Sequence, residues 1–110
     1  MTQHLFVYGT LAPGQPNEKV LTQIGGKWKR AYIKGTLKSQ GWGSILGYPA
    51  IVLEENGEKI DGFIFSSENL QNHWDKLDDF EGKEYSRMLT QVLTDAGDQI
   101  CAYIYVLRDN

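Results

Sequence analysis

The spacing of apolar and polar residues predicts more strands than helices in this chain. Residues 5–8 (LFVY) form a continuous apolar run, which is typical of a short strand buried on both faces. Apolar and polar residues alternate over 28–38, as in a strand with one buried face. Gly62 lies inside another apolar run, which indicates a bulge or a close backbone contact. Further strands are predicted over Ala50–Leu53, 60–65, 87–94 and Gln99–Leu107, with DAGD as a hairpin turn between the last two.

Two short helices complete the predicted elements. The first covers 17–24, and the second begins at a cap formed by Ser66 or Ser67 and runs to about Phe80. The order of elements shows neither a regular βαβ alternation nor an all-β arrangement. It therefore predicts one α+β domain over 1–110, with a small mixed, barrel-like β-sheet flanked by helices.

The second helix carries a carboxylate on its apolar side. Leu70, Trp74 and Leu77 are spaced i, i+4 and i+7, which places them on one inward-facing stripe. The next position of that stripe is Glu81. Partial burial and the neighbouring acidic residues would both raise the pKa of this carboxyl group. A glutamate with a pKa near neutrality is suited to general acid–base catalysis, so Glu81 is the candidate catalytic residue.

Periodicity alone leaves two alternatives for Glu81. In one, the helix ends at Phe80 with Gly82 as its C-terminal cap, and Glu81 lies on the surface as acidic residues usually do. In the other, Arg87 pairs with Glu81 and holds it ionised.

The loop after the first strand is a candidate anion site. A strand that runs into Gly9, Thr10 and Leu11 can expose several backbone N–H groups, which bind anions well. The loop has neither the GxxxxGK[ST] pattern of a P-loop nor a GxGxxG pattern. A plain strand-to-helix connection explains the same residues equally well.

Composition restricts the classes of partner and compartment. A net charge of -3 without a basic stripe argues against nucleic acid as a partner. No segment reaches membrane-spanning length and no signal peptide is visible, so we expect a cytoplasmic protein with no membrane partner. Cys101, the single cysteine, is expected to be a buried structural thiol. His4 and His73 are too far apart in sequence to indicate a metal site.

Several short segments together resemble the gamma-glutamylcyclotransferase-like superfamily, and within it the small gamma-glutamylamine cyclotransferase and AIG2-like branch. The distinctive ones are the Y-G-[ST]-L opening and the D-x-x-E-G-x-x-Y-x-R stretch. In chain order the segments are FVYGTLAPGQPN, GYPAIV, DGFIF, LDDFEGKEYSR and AYIYV. They extend over nearly the whole chain at fitting distances.

The resemblance implies a fold, a reaction and a set of site residues. The fold is a barrel-like sheet with flanking helices. The reaction is the attack of the α-amino group of a γ-glutamyl substrate on its own side-chain carbonyl. It yields 5-oxoproline and a free amine without metal or cofactor. Glu81 matches the catalytic glutamate of the family. The residues that match its substrate-binding positions are Tyr8, Gly9, Thr10, Leu11, Tyr85 and Tyr105.

Two further functions fit the same residues. One is the release of a γ-glutamyl protecting group from a biosynthetic intermediate. The other is a non-catalytic module that binds small carboxylates in the opening loop. For Tyr85, a role in the hydrophobic core is as well supported as a role in the pocket.

Overall fold

The computed structural model describes residues 2–9, 11–38, 50–82 and 85–107, and these form six strands and two α-helices. The strands are β1 (Gln3–Val7), β2 (Lys27–Lys38), β3 (Ala50–Leu53), β4 (Glu58–Ser67), β5 (Tyr85–Thr94) and β6 (Gln99–Leu107). The helices are α1 (Glu18–Thr22) and α2 (Trp74–Glu81), and a 3₁₀ turn covers Leu70–Asn72. Within the described ranges, neither helix is long and apolar enough to cross a bilayer.

The sheet closes on itself. Its strand order is β3-β2-β4-β1-β6-β5, and β5 pairs in addition with β2, where Ala31 lies opposite Thr94. Five strands therefore form a closed barrel, and β3 extends it from β2. The strands β1 and β6 are parallel, whereas the other pairs are antiparallel. The predicted α+β fold with a barrel-like sheet is confirmed.

The barrel interior holds the first of two hydrophobic clusters. Every strand contributes to it, because alternate residues of each strand point inward. On β2 these residues are Ala31 and Ile33, as the alternation predicts. We call this cluster the inner core, and its buried members are Phe6, Ala31, Ile33, Ile51, Ile60, Ile64, Val92, Ala102, Ile104 and Val106.

The second cluster lies between the barrel wall and the helices. The apolar stripe of α2 and its preceding turn packs there, since Leu70, Trp74 and Leu77 are all buried. We call this cluster the outer core, and its buried members are Leu5, Val7, Leu11, Ala12, Leu21, Phe65, Leu70, Trp74, Leu77, Tyr85 and Tyr105.

Strand β1 contributes to both cores. Leu5 and Val7 belong to the outer core and Phe6 to the inner core, so β1 is buried on both faces, as its apolar run predicts. The neighbouring strand β4 comes very close to β1 at Gly62. A Cβ atom there would collide with the Val7 carbonyl oxygen and lie 2.6 Å from the Phe6 ring. The expected close backbone contact at Gly62 is therefore present.

The start of the second helix differs from the prediction. Strand β4 continues to Ser67, whose hydroxyl donates to the Gly25 carbonyl at 2.5 Å and accepts the Asn69 N–H at 3.0 Å. The bond from the Asn69 N–H to the Ser67 hydroxyl spans two residues, and it forms a turn rather than a helix cap. The 3₁₀ turn follows, and the α-helix begins only at Trp74.

Cys101 is exposed, and the expectation of a buried thiol is wrong. Its neighbours Ala102 and Ile104 face the inner core, so Cys101 points to the outer side of β6. On that side Tyr105 belongs to the outer core and Tyr103 packs against it. Cys101 lies beyond this covered part, which an apolar run in sequence cannot reveal.

Candidate active site

Glu81 is the last residue of α2. The helix ends because Gly82 takes a positive φ of 95°, and its N–H donates to the Asp78 carbonyl at 3.1 Å. The N–H of Tyr85, the first residue of β5, donates in turn to the Gly82 carbonyl at 3.3 Å. The helix thus extends to Glu81, whose side chain is half-buried at the end of the apolar stripe. The alternative helix that ends at Phe80 is wrong, whereas Gly82 as the cap is correct.

Burial raises the pKa of the Glu81 carboxyl from 4.5 to about 7. Of the two causes expected from the sequence, desolvation is the one that acts. The neighbouring acids Asp75 and Asp79 are exposed to solvent, where water screens their charge. At neutral pH this carboxyl group is thus present in both its protonated and its ionised form.

Two tyrosines lie close to Glu81. The Tyr8 hydroxyl donates to the Tyr105 backbone carbonyl at 2.8 Å. Burial raises the pKa of both phenols, and the charge of Glu81 raises each of them further. The Tyr105 hydroxyl also donates to Asp78 in the last turn of α2, so Tyr8 and Tyr105 are joined by hydrogen bonds to the helix end that carries Glu81.

Tyr85 and Leu11 complete the wall beside this group. Both are buried in the outer core. Tyr85 also raises the pKa of Tyr8, so these two phenols lie near each other. Tyr85 is therefore a core residue and a neighbour of the site at once.

The opening loop is a tight turn. The Gly9 carbonyl accepts the Ala12 N–H at 3.1 Å, and the Gly14 N–H donates to the Glu18 carboxylate at 2.9 Å. Leu11 anchors the turn in the outer core. Among the described residues, the N–H groups of Gly9 and Leu11 have no hydrogen-bond partner. Thr10 lies outside the described residues.

Arg87 binds Asp78, so the alternative in which Arg87 pairs with Glu81 is wrong. Its Nε lies 3.2 Å from the Asp78 Oδ1, and a terminal nitrogen donates to the Oδ2 at 3.4 Å. The Tyr105 hydroxyl donates to the same Oδ1 at 2.6 Å. Sequence reasoning missed Asp78, although its position one helical turn before Glu81 was a signal for a shared helix face.

A separate open cleft of about 580 Å³ lies between β2, β4 and the turn that joins β5 to β6. None of the predicted site residues lines it. Its Lys59 lies 3.8 Å from Asp61 and 4.6 Å from the centre of the Tyr32 ring. The Lys59–Asp61 pair is largely exposed, whereas Glu81 is a half-buried carboxyl with a raised pKa, so the chemistry favours the Glu81 group as the site.

Comparison with known proteins identifies the family and the fold of the chain. The model of a family described as "Gamma-glutamyl cyclotransferase, AIG2-like" matches residues 5–110. A crystal structure of an AIG2-like protein from Mus musculus has a TM-score of 0.71 and 28% identity, with coverage of 96% of this chain and 76% of that chain. No curated protein sequence matches significantly.

Two further solved structures share the fold. YkqA from Bacillus subtilis has a TM-score of 0.73 and 32% identity. The match covers 98% of this chain but 36% of YkqA, so the chain spans about a third of that protein. A structure titled "Gamma-glutamyl cyclotransferase" has a TM-score of 0.69 and 17% identity, with coverage of 99% of this chain and 68% of that chain.

Proposed function

Because the chain belongs to the gamma-glutamyl cyclotransferase, AIG2-like family, we propose that it converts a γ-glutamyl amine or peptide into 5-oxoproline and a free amine. The observation that carries this proposal is the Glu81 carboxyl, half-buried at the end of α2 with its pKa raised to about 7. It lies near Tyr8, which precedes the opening turn, and within the described part of that turn the N–H groups of Gly9 and Leu11 have no hydrogen-bond partner. A carboxyl group of this kind can both take and return a proton at neutral pH.

The proposed reaction is an intramolecular acyl transfer. Glu81 as carboxylate takes a proton from the α-ammonium group, and the amine nitrogen attacks the γ-carbonyl carbon. The new N–C bond closes the lactam, and the bond from that carbon to the leaving nitrogen breaks. The two protons lost by the attacking nitrogen end on the leaving amine, one of them through Glu81. Since both reacting groups are in one molecule, the protein mainly has to hold a folded substrate conformer.

The opening loop is suited to the glutamyl head group. We propose that the N–H groups of Gly9 and Leu11 donate to the α-carboxylate of the substrate, since they have no hydrogen-bond partner among the described residues. The hydroxyls of Tyr8 and Tyr105 are already engaged, with a backbone carbonyl and with Asp78. We therefore assign these tyrosines to the wall of the pocket and proton transfer to Glu81.

The test is a turnover assay with a panel of γ-glutamyl compounds, in which 5-oxoproline is detected by mass spectrometry. The panel contains γ-glutamyl-alanine, γ-glutamyl-ε-lysine, a γ-glutamyl polyamine and glutathione. Glu81→Gln should lower kcat by roughly 10²- to 10⁴-fold, the usual contribution of general acid–base catalysis. The matched control is Asp79→Asn, an exposed carboxyl of the same helix, which should keep full activity.

Two outcomes would contradict the proposal. Full activity of folded Glu81→Gln would remove Glu81 from the reaction. Absence of 5-oxoproline with every compound, together with calorimetric binding of 5-oxoproline or glutamate, would favour the carboxylate-binding module instead. Circular dichroism of each variant establishes that it is folded.

A further inference from the structure

We propose that Asp78 is a positioning residue that fixes the last turn of α2, and with it the carboxyl of Glu81, against the barrel wall. The inference rests on the proposed function of Glu81. Proton transfer by Glu81 leaves two charged residues near it without a role. In LDDFEGKEYSR, Asp78 precedes Glu81 by one helical turn and Arg87 follows it, yet neither has a part in the reaction.

Asp78 joins the helix end to two strands. Its backbone carbonyl accepts the N–H of the cap residue Gly82 at 3.1 Å. Its carboxylate accepts the Tyr105 hydroxyl from β6 at 2.6 Å and the Arg87 guanidinium from β5 at 3.2 and 3.4 Å. One residue therefore closes the helix and attaches its last turn to both β5 and β6.

Arg87 is held in place by aromatic rings. Its guanidinium carbon lies 4.3 Å from the centre of the Trp74 ring and 5.2 Å from that of Tyr103. The Trp74 indole N–H donates to the side-chain carbonyl of Gln3 at 2.6 Å, which ties the start of α2 to β1. The Arg87 side chain is 26% exposed, so it is shielded more than the Asp78 side chain, which is 40% exposed. Asp78 thus meets a cation whose position is already fixed.

The helix needs such a support. It has eight residues, and helices of this length are marginal without tertiary contacts. Its last turn contains no basic residue of its own, although acidic side chains at a helix C-terminus oppose the dipole. Arg87 supplies the missing positive charge from the neighbouring strand, and Asp78 is the group through which it acts.

The kinetic test compares Asp78→Ala and Asp78→Asn with the exposed control Asp75→Asn, on whichever γ-glutamyl compound is turned over. Misplacing a catalytic group by about 1 Å typically reduces the rate by about 100-fold. We expect Asp78→Ala to lower kcat by roughly 10- to 100-fold with KM changed less than about threefold. Asp78→Asn keeps an acceptor for the Tyr105 hydroxyl but not the charge. Its kcat should lie between those of Asp78→Ala and the control Asp75→Asn.

A second measurement does not depend on turnover. Amide hydrogen exchange at Gly82 and carbon-13 titration of the Glu81 carboxyl report directly on the last turn of α2. In Asp78→Ala we expect exchange at Gly82 to be at least about tenfold faster. The Gly82 N–H donates to the carbonyl of residue 78, and the last turn of α2, which contains that carbonyl, should loosen. The pKa of Glu81 should move from about 7 toward 4.5 as water reaches the carboxyl.

The outcomes separate this proposal from the proposed function. Unchanged exchange and an unchanged Glu81 titration in Asp78→Ala would overturn the positioning role, whatever the activity. If the native protein turns over no γ-glutamyl compound while Asp78→Ala changes both spectroscopic measurements, the reaction is wrong and the positioning of Glu81 by Asp78 stands. Should Asp78→Ala fail to fold, the same two measurements on Asp78→Asn decide, with smaller changes of the same sign expected.

Discussion

The inner and outer cores of this protein are of similar size but different chemistry. The inner core is aliphatic apart from Phe6, and strands enclose it on all sides. The outer core contains Trp74, Tyr85 and Tyr105, and it ends at the half-buried carboxyl of Glu81. One core offers only contacts between apolar groups, whereas the other brings hydroxyl, indole and carboxyl groups to its border.

This difference separates stability from proposed activity. Within the described part of the chain, the buried members of the inner core are all apolar, so none of them needs a proton or a polar partner. Helix α2 covers the outer core, and under the proposed function the border of this core is where a substrate would meet the half-buried Glu81 carboxyl. Substitutions in the two cores should therefore have similar effects on folding and different effects on turnover.

The largest effect on stability is expected from Ile64→Ala in the inner core. Ile64 is 0% exposed, and truncation of such a side chain typically lowers the free energy of unfolding by about 2 to 5 kcal/mol. Leu77→Ala in the outer core, at 1% exposure, should lower it by a similar amount. Urea denaturation of both variants measures the two values.

Turnover distinguishes these two variants. Ile64→Ala should keep the kcat of the folded fraction, whereas Leu77→Ala, one turn before Glu81, should lower it as well. Equal loss of kcat per folded molecule in both variants would mean that the two cores are not functionally separate.

The pH dependence of the free energy of unfolding should report on the Glu81 carboxyl at the border of the outer core. Burial raises the pKa of Glu81 from 4.5 to about 7, so between these values the folded protein holds a proton that the unfolded chain releases. The contribution of the protonated Glu81 carboxyl to the free energy of unfolding is therefore full below pH 4.5 and is lost as the pH rises through about 7. Relative to Glu81→Gln, the native protein should lose about 1 to 3 kcal/mol of unfolding free energy over this range.

Urea denaturation at a series of pH values between 4.5 and 8 measures this loss. Asp79→Asn, which removes an exposed carboxyl, provides the comparison and should show the same pH dependence as the native protein. A constant difference between the native protein and Glu81→Gln across the range would mean that Glu81 is solvated in the folded state.

Periodicity predicted the outer core well, because one helix face repeats regularly along the sequence. Leu70, Trp74 and Leu77 identified the stripe, and its next position identified Glu81. The partner of Arg87 could not be predicted in this way. Asp78 and Glu81 are both within reach in sequence, and the choice between them depends on how Trp74 and the barrel wall place the guanidinium.

The barrel itself was predicted only in outline. The alternation on β2 and the apolar run of β1 indicated which residues are buried, since these patterns are local. Closure through the contact of β2 with β5 joins residues more than 60 positions apart, such as Ala31 and Thr94. No local pattern carries that information, and the exposure of Cys101 depends on the same long-range arrangement.

A moderate effect is expected where the barrel is tightest. In Gly62→Ala, the new Cβ would meet the Val7 carbonyl oxygen and the Phe6 ring, and such overpacking typically lowers stability by about 1 to 3 kcal/mol. Asp61→Ala on the exposed face of the same strand should change it by less than about 0.5 kcal/mol. Thermal denaturation of both variants checks the comparison, and equal melting temperatures would contradict the close contact.

The smallest effect is expected from Tyr8→Phe, at the junction of the two cores. The Tyr8 ring packs against the inner core, 6.2 Å from the Phe6 ring, while its hydroxyl donates to the Tyr105 carbonyl beside Glu81. Loss of that hydrogen bond should lower the free energy of unfolding by about 0.5 to 1.5 kcal/mol. Because the hydroxyl is engaged within the wall, activity should change through KM more than through kcat. A kcat reduced as far as in Glu81→Gln would instead make the Tyr8 hydroxyl part of the proton transfer, and the chemistry would then extend from the outer core into the barrel rim.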